Sequence, residues 1–349
     1  MDPLPITIQT AYAELLEQLL AIETRRSIGA APGTFVTKAI KGRTYYYFQF
    51  SAPGGKSNQA YVGPRTKALD ALVRRFETER DALREDRAPV IALTAALRAG
   101  GAAVTDASSA RVLAALAESG VFKLGGVLVG THAFVVIGNM LGVRWTAASA
   151  RTEDVDIAAS SVLEVAVPEL TADVPKVIES LDMGFLPVPG FSPKAPSTSF
   201  KVRGRGLRLD LVTPARGSSS APVPVPRLKA AAAPVRFLEY VLEEPQPGAI
   251  VDGGGILVSV PQPARFAVHK LLVAQDRSAA FQTKAEKDVV QAALVFEALA
   301  ETRPGDVEGA WRDAASRGAS WKRALAKGRA LLERRRPAVF RKVEREIDR

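Results

Sequence analysis

Apolar and polar residues alternate strictly in "GLRLDLV", residues 206–212. The pattern predicts a half-buried strand with Leu207, Leu209 and Leu211 on one face and Arg208 and Asp210 on the other. "DVDIA", residues 154–158, repeats that parity. Asp154 and Asp156 would share one face while Val155 and Ile157 pack behind them. Short apolar runs broken by glycine, "GGVLVG" and "FKVRG", add strands to the same sheet, and "GRG" at 204–206 predicts a hairpin turn from "SFKV". Ahead of this region the periodicity predicts a helix over 6–25, then strands over 34–62 around Gly42 and a Pro53-Gly54-Gly55 turn. Helical periodicity returns over 65–119, with breaks near Pro89 and at Gly100-Gly101 and a new start at Asp106. Behind it, Pro-, Ser- and Ala-rich residues 214–234 predict an exposed connection, "ILVSV" at 256–260 another strand, and the remainder helices. Gly253-Gly254-Gly255 has no following helix and no lysine, so it reads as a turn.

The division that follows is a helix and small antiparallel β unit in 1–65, a helical connecting layer in 66–120 and a core in 121–215. A connection with one more strand fills 216–262, and a basic helical domain fills 263–349. At 349 residues, 47% of them hydrophobic, the chain can bury real cores. It has no cysteine and two histidines, which removes disulfides, thiolate chemistry and histidine-rich metal centres. Metal chemistry is left to carboxylates and a hard ion such as magnesium. The first 25 residues lack a basic leader and apolar core, so a cytoplasmic location is expected. Residues 124–143 carry no charge, but five glycines with Thr131, His132 and Asn139 favour strand, turn and helix over a membrane span. Net charge is +10, and residues 303–349 hold fourteen Arg or Lys against seven acids. Such a region is either a solvated helical face or an attraction for a polyanion such as RNA.

Two carboxylates on one strand face repel and resist joint ionisation, and a divalent cation is the natural remedy. Asp210 has the same parity. If its hairpin lies beside the Asp154 strand, three carboxylates meet at a magnesium site with room for phosphate oxygens; the plain alternative is a solvent-facing aspartate on an edge strand. Upstream, "VLVGTHAF" passes from a strand through Gly130-Thr131 into a helix near His132. A helix start offers free N–H groups to a phosphate, and glycine permits its close approach.

The order Gly130-Thr131, then Asp154-Val155-Asp156, then Asp210 resembles the polymerase-β-like nucleotidyltransferase superfamily. "GVFKLGGVLVGTHAF", "LDLVTP", "VPQPARFAVHKLLVA" and "KAEKDVVQAALV" extend the resemblance to a bacterial nucleotidyltransferase-8 type subgroup over roughly residues 30–330. The resemblance implies an α+β fold, a mixed sheet flanked by helices, carrying the N-terminal β unit and the C-terminal helical region. It also implies transfer of a nucleoside monophosphate from an NTP to an acceptor, supported by Mg²⁺ or Mn²⁺. Asp154, Asp156 and Asp210 would be catalytic and hold the metal, and Gly130 and Thr131 would cradle phosphates. Thr131 stands where Gly or Ser is commoner, and the gap from Thr131 to Asp154 is longer than usual. That longer gap resembles abortive-infection-type toxin nucleotidyltransferases and makes Arg151 a phosphate contact, or else a surface salt bridge.

In two later helices the same resemblance singles out Lys270 and Asp288 for nucleotide binding, and Lys284 and Lys287 less so. Lys284, Lys287, Asp288 and Gln291 form one helical stripe, which is also what a solvated face looks like. His269 reads as packing, and His132 as a phosphate contact or a buried histidine. Tyr45, Tyr46, Tyr47, Phe48 and Phe50 lie among Lys38, Lys41, Arg43 and Lys56. Alternation would expose half of these aromatics for stacking on single-stranded nucleic acid, or they simply pack. The expected partners are an NTP and an RNA or tRNA acceptor drawn by the basic C-terminal region. A tRNA-modifying toxin is a special case of that reading. The competing reading is a nucleotidyltransferase fold without turnover that binds nucleic acid or a partner.

Overall fold

The computed structural model describes residues 1–25, 31, 33–51, 57–145, 152–160, 171–190, 195–217, 219–252, 254–276 and 282–348. Strands Asp154–Ala158 and Arg208–Pro214 run parallel, with Asp154 opposite Arg208 and Asp156 opposite Asp210. Val155, Ile157, Leu209 and Leu211 are buried on the other face, as their alternation predicts. Strand Val127–Val129 pairs antiparallel with the far edge of the Asp154 strand, setting Val129 opposite Asp156. Strand Ser199–Val202 forms the expected hairpin with the Arg208 strand. With strands Phe185–Pro187, Val223–Val225 and Ala230–Val235, these make a mixed seven-stranded sheet among the described residues.

Helices flank it. Helix Gly130–Met140 follows directly on the Val127 strand. Helix Ala107–Glu118 starts where Asp106 accepts from the N–H groups of Ser108 and Ser109 at 3.0 and 2.9 Å. Helices Pro263–Ala274, Pro304–Ser316 and Pro337–Ile347 each begin at a proline, whose fixed φ suits a first turn. With Gln282–Thr302 and Ala319–Arg335 they form the C-terminal helical region, and Trp311, Trp321, Phe340 and Val343 join the core beneath the sheet. The α+β fold expected from the sequence is the fold observed. No described helix is long and apolar enough to cross a membrane.

At the N-terminal end, strands Thr34–Ile40, Arg43–Ser51 and Ser57–Pro64 form an antiparallel sheet. Lys41 and Gly42 have φ of 50° and 77°, the left-handed pair that a tight hairpin requires. The Pro53-Gly54-Gly55 turn, Lys56, Gly253 and Arg151 lie outside the described residues. A second core joins helix Ile6–Thr24, the C-terminal half of helix Lys67–Ala99 and the hairpin of Gln246–Ile250 with Ile256–Val260. In it the Tyr12 hydroxyl accepts from the Ala249 N–H and donates to the Ala249 carbonyl, each at 3.0 Å.

Two segments depart from expectation. Helix Lys67–Ala99 runs through Pro89 without a break, because Pro89 and Glu85, the residue whose carbonyl loses its partner, both lie on the exposed side where water replaces the bond. Residues 214–234 are not merely an exposed connection: Ala230–Val235 is a sheet strand, parallel to the Arg208 strand, with Ala231 and Ala232 buried. A run of alanine shows no alternation, so burial there cannot be read from pattern.

Candidate active site

Parallel pairing puts Asp154, Asp156, Arg208 and Asp210 on one face, in two adjacent registers. Directly beneath Asp156 comes Gly130, with φ of 67°. A side-chain carbon at that position would run into the Asp156 carboxylate, so the close approach requires glycine. Burial, and then the neighbouring Asp210, push the Asp156 carboxyl up to about 7; Asp154 adds to the push while Lys270 and Lys284 oppose it. Asp210 is not left bare: Arg208 Nε donates to its Oδ1 at 2.8 Å and to Ser199 Oγ at 2.7 Å. Arg208 has the parity of Asp210, which is the signal by which the pairing could have been found.

Across from the acids stand two helices from the C-terminal region. Lys270 Nζ binds Asp288 Oδ1 at 2.8 Å, and Asp288 is 3% exposed. The stripe on helix Gln282–Thr302 is therefore partly interior: Lys284 is exposed, Lys287 half-buried, and Asp288 and Gln291 buried. Gln291 Nε2 donates to Thr131 Oγ1 at 3.3 Å, tying this helix to the start of the Gly130 helix. Burial, then the charge of Lys270, hold the Lys287 ammonium below its ordinary range, while Asp154, Asp288 and Asp156 counter that. The structure thus brings Gly130, Lys270, Lys284 and Asp288 within the electrostatic reach or packing shell of the acids, and Thr131 with them. His269 lies half-buried on the Lys270 helix.

Helix Gly130–Met140 has no side-chain cap, so the N–H groups of its first turn face the acidic end of the site without one. His132, two residues in, is 3% exposed, and neither ring nitrogen has a hydrogen-bond partner among the described residues. Burial holds its imidazole down to about 4, Asp106 works against this and Lys287 with it. His132 lines a cleft of about 700 Å³ with Thr105, Asp106, Ser108, Thr152 and Glu153. The sequence carried no signal for this cleft, since its walls come from four separate segments.

The oxygen-rich donor set suits a hard cation, and a half-buried carboxyl that resists ionisation beside two others is relieved by one. As they stand, no three acidic or histidine side chains among the described residues form a group able to hold a metal ion. Asp154 and Asp156 fit as the pair that would hold it, since magnesium is commonly bound by one or two carboxylates together with substrate phosphates.

A nucleotidyltransferase family profile matches residues 107–316, which span every acid, lysine and glycine of this site. No curated protein matches the chain. Among solved structures it is similar to an antigenic nucleotidyltransferase-like protein from Paracoccidioides brasiliensis, with 16% identity and a TM-score of 0.39 over 68% of this chain and 93% of that one. With well over half its length matched, and the site inside the match, the chain belongs to the nucleotidyltransferase family.

Proposed function

We propose that the protein transfers a nucleoside monophosphate from an NTP to an acceptor, with release of pyrophosphate, in the presence of Mg²⁺ or Mn²⁺. The observation that carries this reading is the register of Asp156 and Asp210 over Gly130, facing Lys270 and Asp288. When bound by Asp154 and Asp156, the cation would supply Lewis-acid charge for the phosphates. The first-turn N–H groups at Gly130-Thr131 receive the leaving phosphates, and Lys270 with Lys284 offsets their charge. The acceptor oxygen forms its bond to the α-phosphorus as the bond to pyrophosphate breaks, and Asp210 takes the acceptor proton. Arg208 then keeps that carboxylate aimed along its own strand.

Labelled product tests the reading. Full-length protein incubated with α-labelled NTPs, Mg²⁺ and separate pools of RNA, protein and metabolites should label one pool. Asp154→Asn should lower transfer at least about a hundredfold with an unchanged melting temperature, since even outer-shell changes at metal sites cost 10–100-fold. Transfer retained by Asp154→Asn would sink the assignment. A relation to abortive-infection-type toxins belongs to the same proposal, and growth arrest on expression, relieved by Asp154→Asn, is its readout.

A further inference from the structure

The N-terminal sheet lies outside the matched residues 107–316, and its two faces differ. Directly paired residues share a face. On one face Phe35 and Phe48 close round Phe76 of the long helix, with ring centroids 5.1 and 5.7 Å away, and Tyr46 is buried beside them. The other face carries Lys38 opposite Tyr45, Tyr47 opposite Tyr61, Gln49 opposite Gln59 and Ile40 opposite Arg43. Tyr61 is 59% exposed, and its ring lies 6.1 Å from that of Tyr45 and 5.6 Å from that of Tyr47. Lys38 Nζ sits 4.7 Å over the Tyr47 ring. At the end of this strip the Gln59 amide donates to Gln49 at 3.0 Å.

Charge sharpens the picture. Between Glu23 and Asp70 the sequence holds eight Arg or Lys and no acid. Lys38, Lys41 and Arg43 are exposed, and among the described residues they form no ion pair with an acid. In the C-terminal helices Arg312 pairs with Glu308, Arg329 with Asp348, and Lys342 with Glu297, while Lys322, Arg323, Lys327, Arg334, Arg341 and Arg345 are exposed. Exposed positive charge free to meet a polyanion thus lies at both ends of the chain, and in the N-terminal sheet it stands beside aromatic rings.

We propose that the Tyr45, Tyr47 and Tyr61 face docks single-stranded RNA. Tyrosine rings offer stacking platforms to bases, and the sheet that carries them contributes Lys38, Lys41 and Arg43 and no acid, which favours phosphates. Tyr45 and Tyr47 stand roughly 7 Å apart along their strand, twice the roughly 3.4 Å between stacked bases of a duplex. The strip therefore suits splayed bases of a single strand, and the Gln49 and Gln59 amides are placed to meet ribose hydroxyls. An apolar protein partner would have no use for the one-signed charge. This surface is separate from the acids, so binding does not depend on nucleotidyl transfer.

Fluorescence anisotropy on the full-length protein, with a labelled single-stranded RNA, the same sequence as a duplex, and single-stranded DNA, tests it. The single-stranded RNA should bind tightest, with affinity falling steeply as salt rises. Tyr61→Ala should weaken it roughly tenfold while leaving the melting temperature unchanged, Tyr61→Phe should restore it, and Lys38→Glu should reduce both affinity and salt slope. Asp154→Asn should bind as the parent does, which separates this inference from the catalytic one. Equal binding by Tyr61→Ala, equal or tighter binding of the duplex, or competition by anionic vesicles but not by RNA would each overturn it.

Discussion

Asp156 shows how one residue sets the terms of a site. It is held against a glycine with no room for a side chain, beside a second carboxylate, and its pKa of about 7 expresses that confinement. Because the folded value lies above the ordinary carboxylate value near 4, the protonated form favours the fold. Its contribution is fully present below about pH 4 and is lost as pH rises through 7. At pH 8 without divalent cations, Asp156→Asn should therefore melt higher than the parent, by roughly 2–4 °C for each kcal/mol relieved. The gap should close toward pH 5, and Mg²⁺ should narrow it by raising the parent alone. Thermal melts at the two pH values decide it; a lower melting temperature for the variant at pH 8 contradicts the confinement. His132 has the opposite slope: its imidazole is held down to about 4 by burial, so its support is present above pH 6.5 and is lost on acidification.

At the scale of elements, Lys270 and Asp288 couple the helices Pro263–Ala274 and Gln282–Thr302 through a pair that is almost wholly buried. Removing one partner strands a charge. Lys270→Met should cost about 3–5 kcal/mol in urea unfolding, whereas Lys270→Met with Asp288→Leu should recover most of that loss, since an apolar replacement needs no partner. Nucleotidyl transfer should stay low in both, which separates packing from chemistry. The acidic strands were legible because alternation of Leu with Arg208 and Asp210, and of Val155 with Asp154 and Asp156, is a period-2 signal that little else produces. Their parallel pairing was not, since register between strands more than fifty residues apart depends on tertiary packing. The same limit hid the Gln291–Thr131 tie and the buried half of the Lys284 stripe. A polar run at helical spacing looks alike whether it meets water or another charged face.

For the whole molecule, basic charge lies at both ends of the chain and only part of it is paired. The basic C-terminal helices are laced by ion pairs and contribute Trp321, Phe340 and Val343 to the main core, while the acid-free stretch lies in the N-terminal sheet. The Tyr12 hydroxyl, meeting both backbone groups of Ala249 inside the second core, makes residues 237 positions apart mutually dependent. A truncation to 107–316 would keep every proposed catalytic group yet leave the Ala249 amide and carbonyl buried or wetted without their partner, and would strip Leu15, Leu19, Val90 and Leu97 from the hairpin. Such a fragment should show weak near-ultraviolet dichroism and bind hydrophobic dyes, where the full chain should do neither. Cooperative melting of the fragment at the parent temperature would disprove the dependence. The boundary of the family thus marks where ancestry can be recognised, while the boundary of the folding unit runs further, out to a tyrosine in the first helix.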